Sequence, residues 1–147
     1  MTFVEKDFIL AHEDFNIKMQ PLTELLCQAP PTIKQLFYHL EDFLDHEHIL
    51  KLLVHLCKHF EEEACGVIVN RKFVVCKNVA NNVENDFEID DLDWIKCQLY
   101  GKPQAIVHSH PRSGPKPSEM DMLQAKRFNL IYIIISLRNW EMEIYTP

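Results

Sequence analysis

Hydrophobic positions recur along this chain with two different periods. Ile49, Leu53, Leu56 and Phe60 fall at i, i+4, i+7 and i+11, the spacing of one helix face, and predict an amphipathic helix over 46–61. Ile33, Leu36, Phe37, Leu40 and Leu44 repeat that spacing after Thr32, whose hydroxyl can cap the helix start. Ahead of the Pro30-Pro31 break, Pro21-Leu22-Thr23-Glu24-Leu25-Leu26 predicts a short helix with proline in its first turn. Residues 1–20 alternate irregularly, as in Phe8-Ile9-Leu10, and carry only a weak assignment.

Beyond residue 61 the apolar runs shorten. Gly66-Val67-Ile68-Val69 and Lys72-Phe73-Val74-Val75-Cys76 flank a polar Asn70-Arg71 pair and predict a β-hairpin. A turn-rich loop spans Asn78 to Asn85, and Phe87-Glu88-Ile89 reads as a short strand. Asp90, Asp91 and Asp93 place acids at the start of the next helix, where they favour the macrodipole. Ala105-Ile106-Val107 is a buried strand running into His108, and a helix follows from Ser118 to about Phe128. Leu130–Ser136 and Trp140–Tyr145 are the last strands, joined by an Arg138-Asn139 turn. This order predicts an α/β fold: a mixed β-sheet flanked by helices. The change in texture divides the chain into an N-terminal helical or extended segment, 1–44, and a domain over 45–147.

Composition narrows the function. A chain of 147 residues with 47% hydrophobic and 25% charged residues folds around one core without staples and is not disordered. A net charge of -7 argues against sequence-independent nucleic-acid binding, which depends on neutralising phosphates. No apolar run approaches the roughly 18 residues of a membrane span. The first residues lack the basic and apolar regions of a secretory signal. Five cysteines, an odd number without close pairing, fit free thiols in a reducing, cytoplasmic compartment.

Reactive side chains concentrate between His108 and Asp121. Residues two apart on a strand face one side, so His108 and His110 aim both imidazoles at one point. After a Pro- and Gly-rich turn, Asp121 falls in the first turn of a helix, where its carboxylate can reach back. Two imidazole nitrogens and one carboxylate oxygen suit zinc and leave a fourth position open, the pattern of a catalytic site. Ser118-x-x-Asp121 alone also reads as a helix cap. The combination of five fixed residues recurs by chance on the order of once per million registers. Of Glu61, Glu62 and Glu63 upstream, spacing alone selects none.

His-x-His-Pro followed by Ser-x-x-Asp, with Glu63-Ala64-Cys65-Gly66 at a helix-to-strand entry, resembles the JAMM (MPN-plus) zinc metalloproteases over about residues 46–147. The resemblance implies their cytidine-deaminase-like layering and one zinc ion per chain on His108, His110 and Asp121. It also implies Glu63 as general base and Ser118 as an oxyanion donor. The activity implied is hydrolysis of a peptide or isopeptide bond in a peptide or protein substrate. Cys76-Lys77-Asn78-Val79-Ala80, Phe87-Glu88-Ile89 and Asp93-Trp94 extend the likeness to the N-terminal domain of the phage tail tip assembly proteins. That likeness implies tail assembly or cell-wall processing, tail-protein partners, an NlpC-type peptidase as partner domain, and a location in the host cytoplasm or virion tail. The alternative is a structural module using the fold as a binding surface.

Other reactive residues invite simpler readings. His48, His55 and His59 share a helix face, but Leu56 stands where a zincin-type pair needs glutamate, so they read as a polar flank. Cys65 with His108 as base would make a thiol nucleophile; a buried thiol is the plainer reading. Cys27, Cys57, Cys76 and Cys97 lack zinc-ribbon spacing and are assigned to the core. Arg112 and Lys116 flank the site and read as solvated loop charges. No Cys or His follows Asp121, so the second-zinc insertion of ubiquitin-chain-cleaving JAMM proteins is not expected.

Overall fold

Prolines decide where the first helices begin. In the computed structural model, which describes residues 3–147, α1 spans Phe3–Ala11, α2 Leu22–Gln28, α3 Pro31–Leu40 and α4 His46–Lys58. Met1 and Thr2, the start of the weakly patterned stretch, lie outside the described residues. Thr32 does not cap α3. Pro31 occupies the first helical position, with Pro30 as extended N-cap, because a preset φ and a missing N–H suit that place. The Thr32 hydroxyl instead donates to Glu5 at 2.8 Å and ties α3 to α1. Pro21 is the N-cap of α2 and not part of its first turn. Helix α4 ends at Lys58, short of the predicted 61, since His59 leaves helical geometry. Phe60 packs beyond the helix end, with the Lys6 ammonium 3.8 Å from its ring centre.

Strands β1, Cys65–Val69, and β2, Lys72–Cys76, form the predicted hairpin. Asn70 and Arg71 both adopt positive φ, 50° and 64°, the turn geometry that matches strand twist in two-residue hairpins. The Arg71 side chain then bonds Asp45 Oδ1 at 2.9 Å and the Glu41 carbonyl at 2.8 Å, fixing the hairpin to the α3–α4 connection. Helix α5, Asp91–Tyr100, is capped by Asp90, which accepts from the Asp93 amide. It is followed by β3, Ala105–His110, α6, Glu119–Phe128, β4, Ile131–Ser136, and β5, Met142–Tyr145. The sheet order is β2-β1-β3-β4-β5. Only β3 and β4 run parallel, with α6 as their crossover, so the mixed α/β sheet is as expected. Two predicted strands are corrected. Phe87–Ile89 makes a single bridge, Asn78 to Ile89, and β5 starts at Met142 because Trp140 turns the chain at φ 58°.

Strand alternation sorts the core into two layers. Ile68, Phe73, Ala105, Val107, Ile133 and Ile135 pack with residues of α1, α3 and α4, including Ile9, Leu36, Phe37 and Leu53. The apolar face of the N-terminal helices is therefore buried on this same chain. Cys65, Val67, Ile106 and Tyr132 face the other way, with Cys97 of α5 and Ala125 of α6. By the same alternation, His108 and His110 lie on the α6 side with Ile106, and Ser109 points toward α4. Among the described residues no helix is long and apolar enough to cross a membrane.

Candidate metal centre

The two histidines sit at the C-terminal end of β3, and the first turn of α6 brings Asp121 over them. His108 Nε2 lies 3.1 Å from Asp121 Oδ1, and His110 Nε2 lies 3.3 Å from Asp121 Oδ2. One carboxylate thus spans both imidazoles. Glu63 enters from the segment between α4 and β1, with Oε1 3.9 Å from His108 Nε2. Glu63, His108 and His110 each present a ligand atom within 4.8 Å of the others. All four side chains are buried, and His108 is fully so. They lie beside a cleft of about 660 Å³ lined by Glu63, Ser118 and Asp121 at one end and by Trp94 and Phe128 at the other.

Hydrogen bonding leaves ring nitrogens of this cluster unpaired. His110 Nδ1 is 2.9 Å from the Gly114 carbonyl, so that nitrogen carries the proton and donates. In the neutral ring, Nε2 is then a lone pair facing a carboxylate oxygen. Two lone pairs at this distance require a proton or a cation between them. His108 Nε2 is buried without a well-directed hydrogen bond, although Asp121 Oδ1 is close; the contact is electrostatic and poorly aligned. One imidazole oriented by a backbone carbonyl and a second without a partner at either ring nitrogen, converging with carboxylates, could hold a divalent ion such as zinc.

The titration of the groups follows. Burial raises Glu63 to about 8, aided by Asp121 and opposed by His110. Burial also works against ionised Asp121, but the adjacent His108 and His110 rings and the Ser118 amide outweigh it and hold the carboxyl below its usual range. Burial lowers His108 despite Asp121. For His110 the bonds to Asp121 and Gly114 outweigh burial and raise it.

Ser118 and Asp121 form a full capping box: the Ser118 hydroxyl accepts from the Asp121 amide at 3.0 Å, and Asp121 Oδ2 accepts from the Ser118 amide at 2.9 Å. The cap and the site use the same residues. The Ser118 hydroxyl hydrogen stays available for donation into the cleft. Of the three consecutive glutamates, Glu61 is exposed, Glu62 is half-buried near His59, and only Glu63 is buried at the cluster.

The remaining histidines and cysteines have structural partners. His48 Nδ1 accepts from the Phe73 amide at 3.0 Å, and His55 Nε2 contacts the Cys65 carbonyl at 3.1 Å. Burial, with His59 nearby, lowers His55 to about 4. Burial pushes the Cys65 thiol up to about 12, which argues against a thiolate nucleophile. Cys57, Cys76 and Cys97 are buried as expected, whereas Cys27 is exposed, because it occupies the outer side of the short helix α2. Arg112 contacts Glu84 at 3.6 Å, both exposed.

Three positioning residues, Asn78, Ser109 and Phe87, act on the cluster through partners distant in sequence. Asn78 Nδ2 donates to the carbonyls of Glu63 and Asp86, both at 2.9 Å, while its Oδ1 accepts from the Ala80 and Glu88 amides. Ser109 Oγ accepts from the Ala64 amide at 3.0 Å on the far side of β3. Phe87 stacks on His108 with ring centres 4.3 Å apart. The Cys-Lys-Asn-Val-Ala run points to position 78, but its partners lie elsewhere in the chain.

Comparison with known proteins agrees with the fold. The family described as prokaryotic homologs of the JAB domain matches residues 45–145. The chain is similar to tail tip assembly protein K of Escherichia phage N15, with 26% identity over 100 residues, 65% of this chain. It spans only 41% of that relative's length. The solution structure of a protein from Desulfitobacterium hafniense shares the fold, with a TM-score of 0.55 and 21% identity over 69% of this chain and 79% of the other. The chain belongs to the prokaryotic JAB-domain family.

Proposed function

Starting from membership of that family, we propose that the chain is a zinc-dependent peptidase or isopeptidase of the JAMM type. The observation that carries this reading is the convergence of His108, His110, Asp121 and Glu63 at one end of an open cleft. His108, His110 and Asp121 would hold one zinc ion. Asp121 suits a ligand role because it stays ionised and lies close to both Nε2 atoms. A bound divalent ion supplies Lewis-acid chemistry, polarising an amide carbonyl and making water acidic enough to attack at neutral pH.

The chain's own residues supply the rest. Glu63 is the proton carrier: it takes a proton from the attacking water and delivers it to the leaving amine. Its raised value, about 8, reflects burial without a cation; a neighbouring positive charge lowers it and frees the carboxylate to accept. Ser118 donates to the oxyanion while its backbone bond to Asp121 keeps the hydroxyl in place. By likeness to its phage relative, whose name specifies tail tip assembly, the setting is assembly of a virion tail, with tail proteins as partners.

A second reading is favoured by that relative's name, which specifies assembly: the fold serves as a structural tail module. Cleavage assays separate the two. Zinc-loaded chain should hydrolyse a peptide library, chelator should stop it, and zinc should restore it. A metal-loaded chain that cleaves nothing but binds tail proteins would favour the structural module.

A further inference from the structure

The cleft extends well beyond the residues assigned to chemistry. At its outer end Trp94 of α5 and Phe128 of α6 approach with ring centres 6.1 Å apart. Ile89 continues the apolar wall. Trp94 and Ile89 are half-buried, and Phe128 is 48% exposed. These apolar surfaces therefore stay wet in the free chain, a standing cost that an apolar ligand would remove. The rim is mainly acidic. Asp86, Glu88 and Asp91 are exposed lining residues, and Asp91 lies one helical turn before Trp94. The lining cation, Arg127, sits over the Phe128 ring at 5.7 Å.

We infer that the outer half of the cleft is a subsite for a large apolar or aromatic side chain next to a cationic one. The apolar group packs between Trp94 and Phe128, and the cation meets the carboxylate of Asp91. The substrate class is then a peptide carrying such a pair near its scissile bond. The word substrate rests on the hydrolase reading above; the binding preference does not.

The test uses the full chain and three blocked hexapeptides that differ only in two central residues: Phe-Lys, Ala-Lys and Phe-Glu. Binding is read from tryptophan emission, in which Trp94 reports and Trp140, 2% exposed in the opposite core layer, stays constant. The Phe-Lys peptide should bind at least about fivefold more tightly than either of the others. Phe128→Ala should erase the gap between Phe-Lys and Ala-Lys. Asp91→Asn should narrow the gap between Phe-Lys and Phe-Glu. Equal affinity for all three peptides, no binding of any, or a Phe-Lys preference that survives both substitutions overturns the subsite. Cleavage of the same peptides by the zinc-loaded chain is scored separately. Selective binding without cleavage leaves the subsite and removes the hydrolase reading; unselective cleavage does the reverse.

Discussion

On the proposed mechanism Glu63 carries the sharpest demand on any single side chain, since it would exchange a proton beside the metal and not serve as its ligand. Glu63→Gln keeps the size and hydrogen-bonding shape but cannot accept a proton. Turnover should fall by about 10²- to 10⁴-fold with metal content unchanged, as checked by peptide cleavage and elemental analysis of one sample. Wild-type turnover would move the role elsewhere, first to Glu62. Asn78 is the residue whose loss should damage structure most per atom removed. Its amide joins the Glu63 backbone to the loop over 78–88 through four bonds of 2.9–3.1 Å. Asn78→Ala should cost about 2–4 kcal/mol, measured by urea denaturation, and should release the loop that carries Phe87 against His108. A loss below about 0.5 kcal/mol would show that water replaces these bonds at no penalty.

At the scale of elements, close approach and buried charge set the limits. Gly66 is the second residue of β1, where an added Cβ would meet the Phe73 ring and lie 2.6 Å from the Val74 carbonyl oxygen. Gly66→Ala should therefore destabilise by about 2 kcal/mol or more, with near-ultraviolet dichroism reporting disturbed aromatic packing. His55 anchors α4 to β1 as a neutral ring. Its folded value near 4 lies below the ordinary 6.5, so acid protonates it first in the unfolded chain. Its contribution is whole above pH 6.5 and falls away toward pH 4, a loss on the order of 3 kcal/mol. His55→Gln, which can still donate to Cys65, should remove that part of the acid limb in paired urea titrations. The same scale explains what was legible in the sequence. Strand alternation at 108 and 110 and the helix cap at 118–121 are local patterns, and both form as read. Glu63 is not local: past the end of α4 no period remains, and Asn78 and Val83, 15 and 20 positions away, bond its backbone, while Ser109 holds the neighbouring Ala64 amide. Thr32 lost its cap to a neighbouring proline, and Phe87–Ile89 lacks a full partner strand.

At the scale of the molecule, α1–α3 cover the sheet face opposite the site and share its core through Ile9, Ile33, Leu36 and Phe37. No atom of the metal cluster lies on them. Removing residues 1–30 should lower Tm by about 10 °C or more yet leave metal stoichiometry intact in the protein that stays folded; a folded truncation without metal would show that these helices support the site. The proposed hydrolase activity requires that His108 and His110 hold a catalytic zinc ion. Elemental analysis of the purified chain beside its His108→Ala/His110→Ala double variant tests it most directly. One zinc per wild-type chain and none in the folded variant is the predicted result; stoichiometric zinc in both, or in neither after zinc reconstitution, would contradict it.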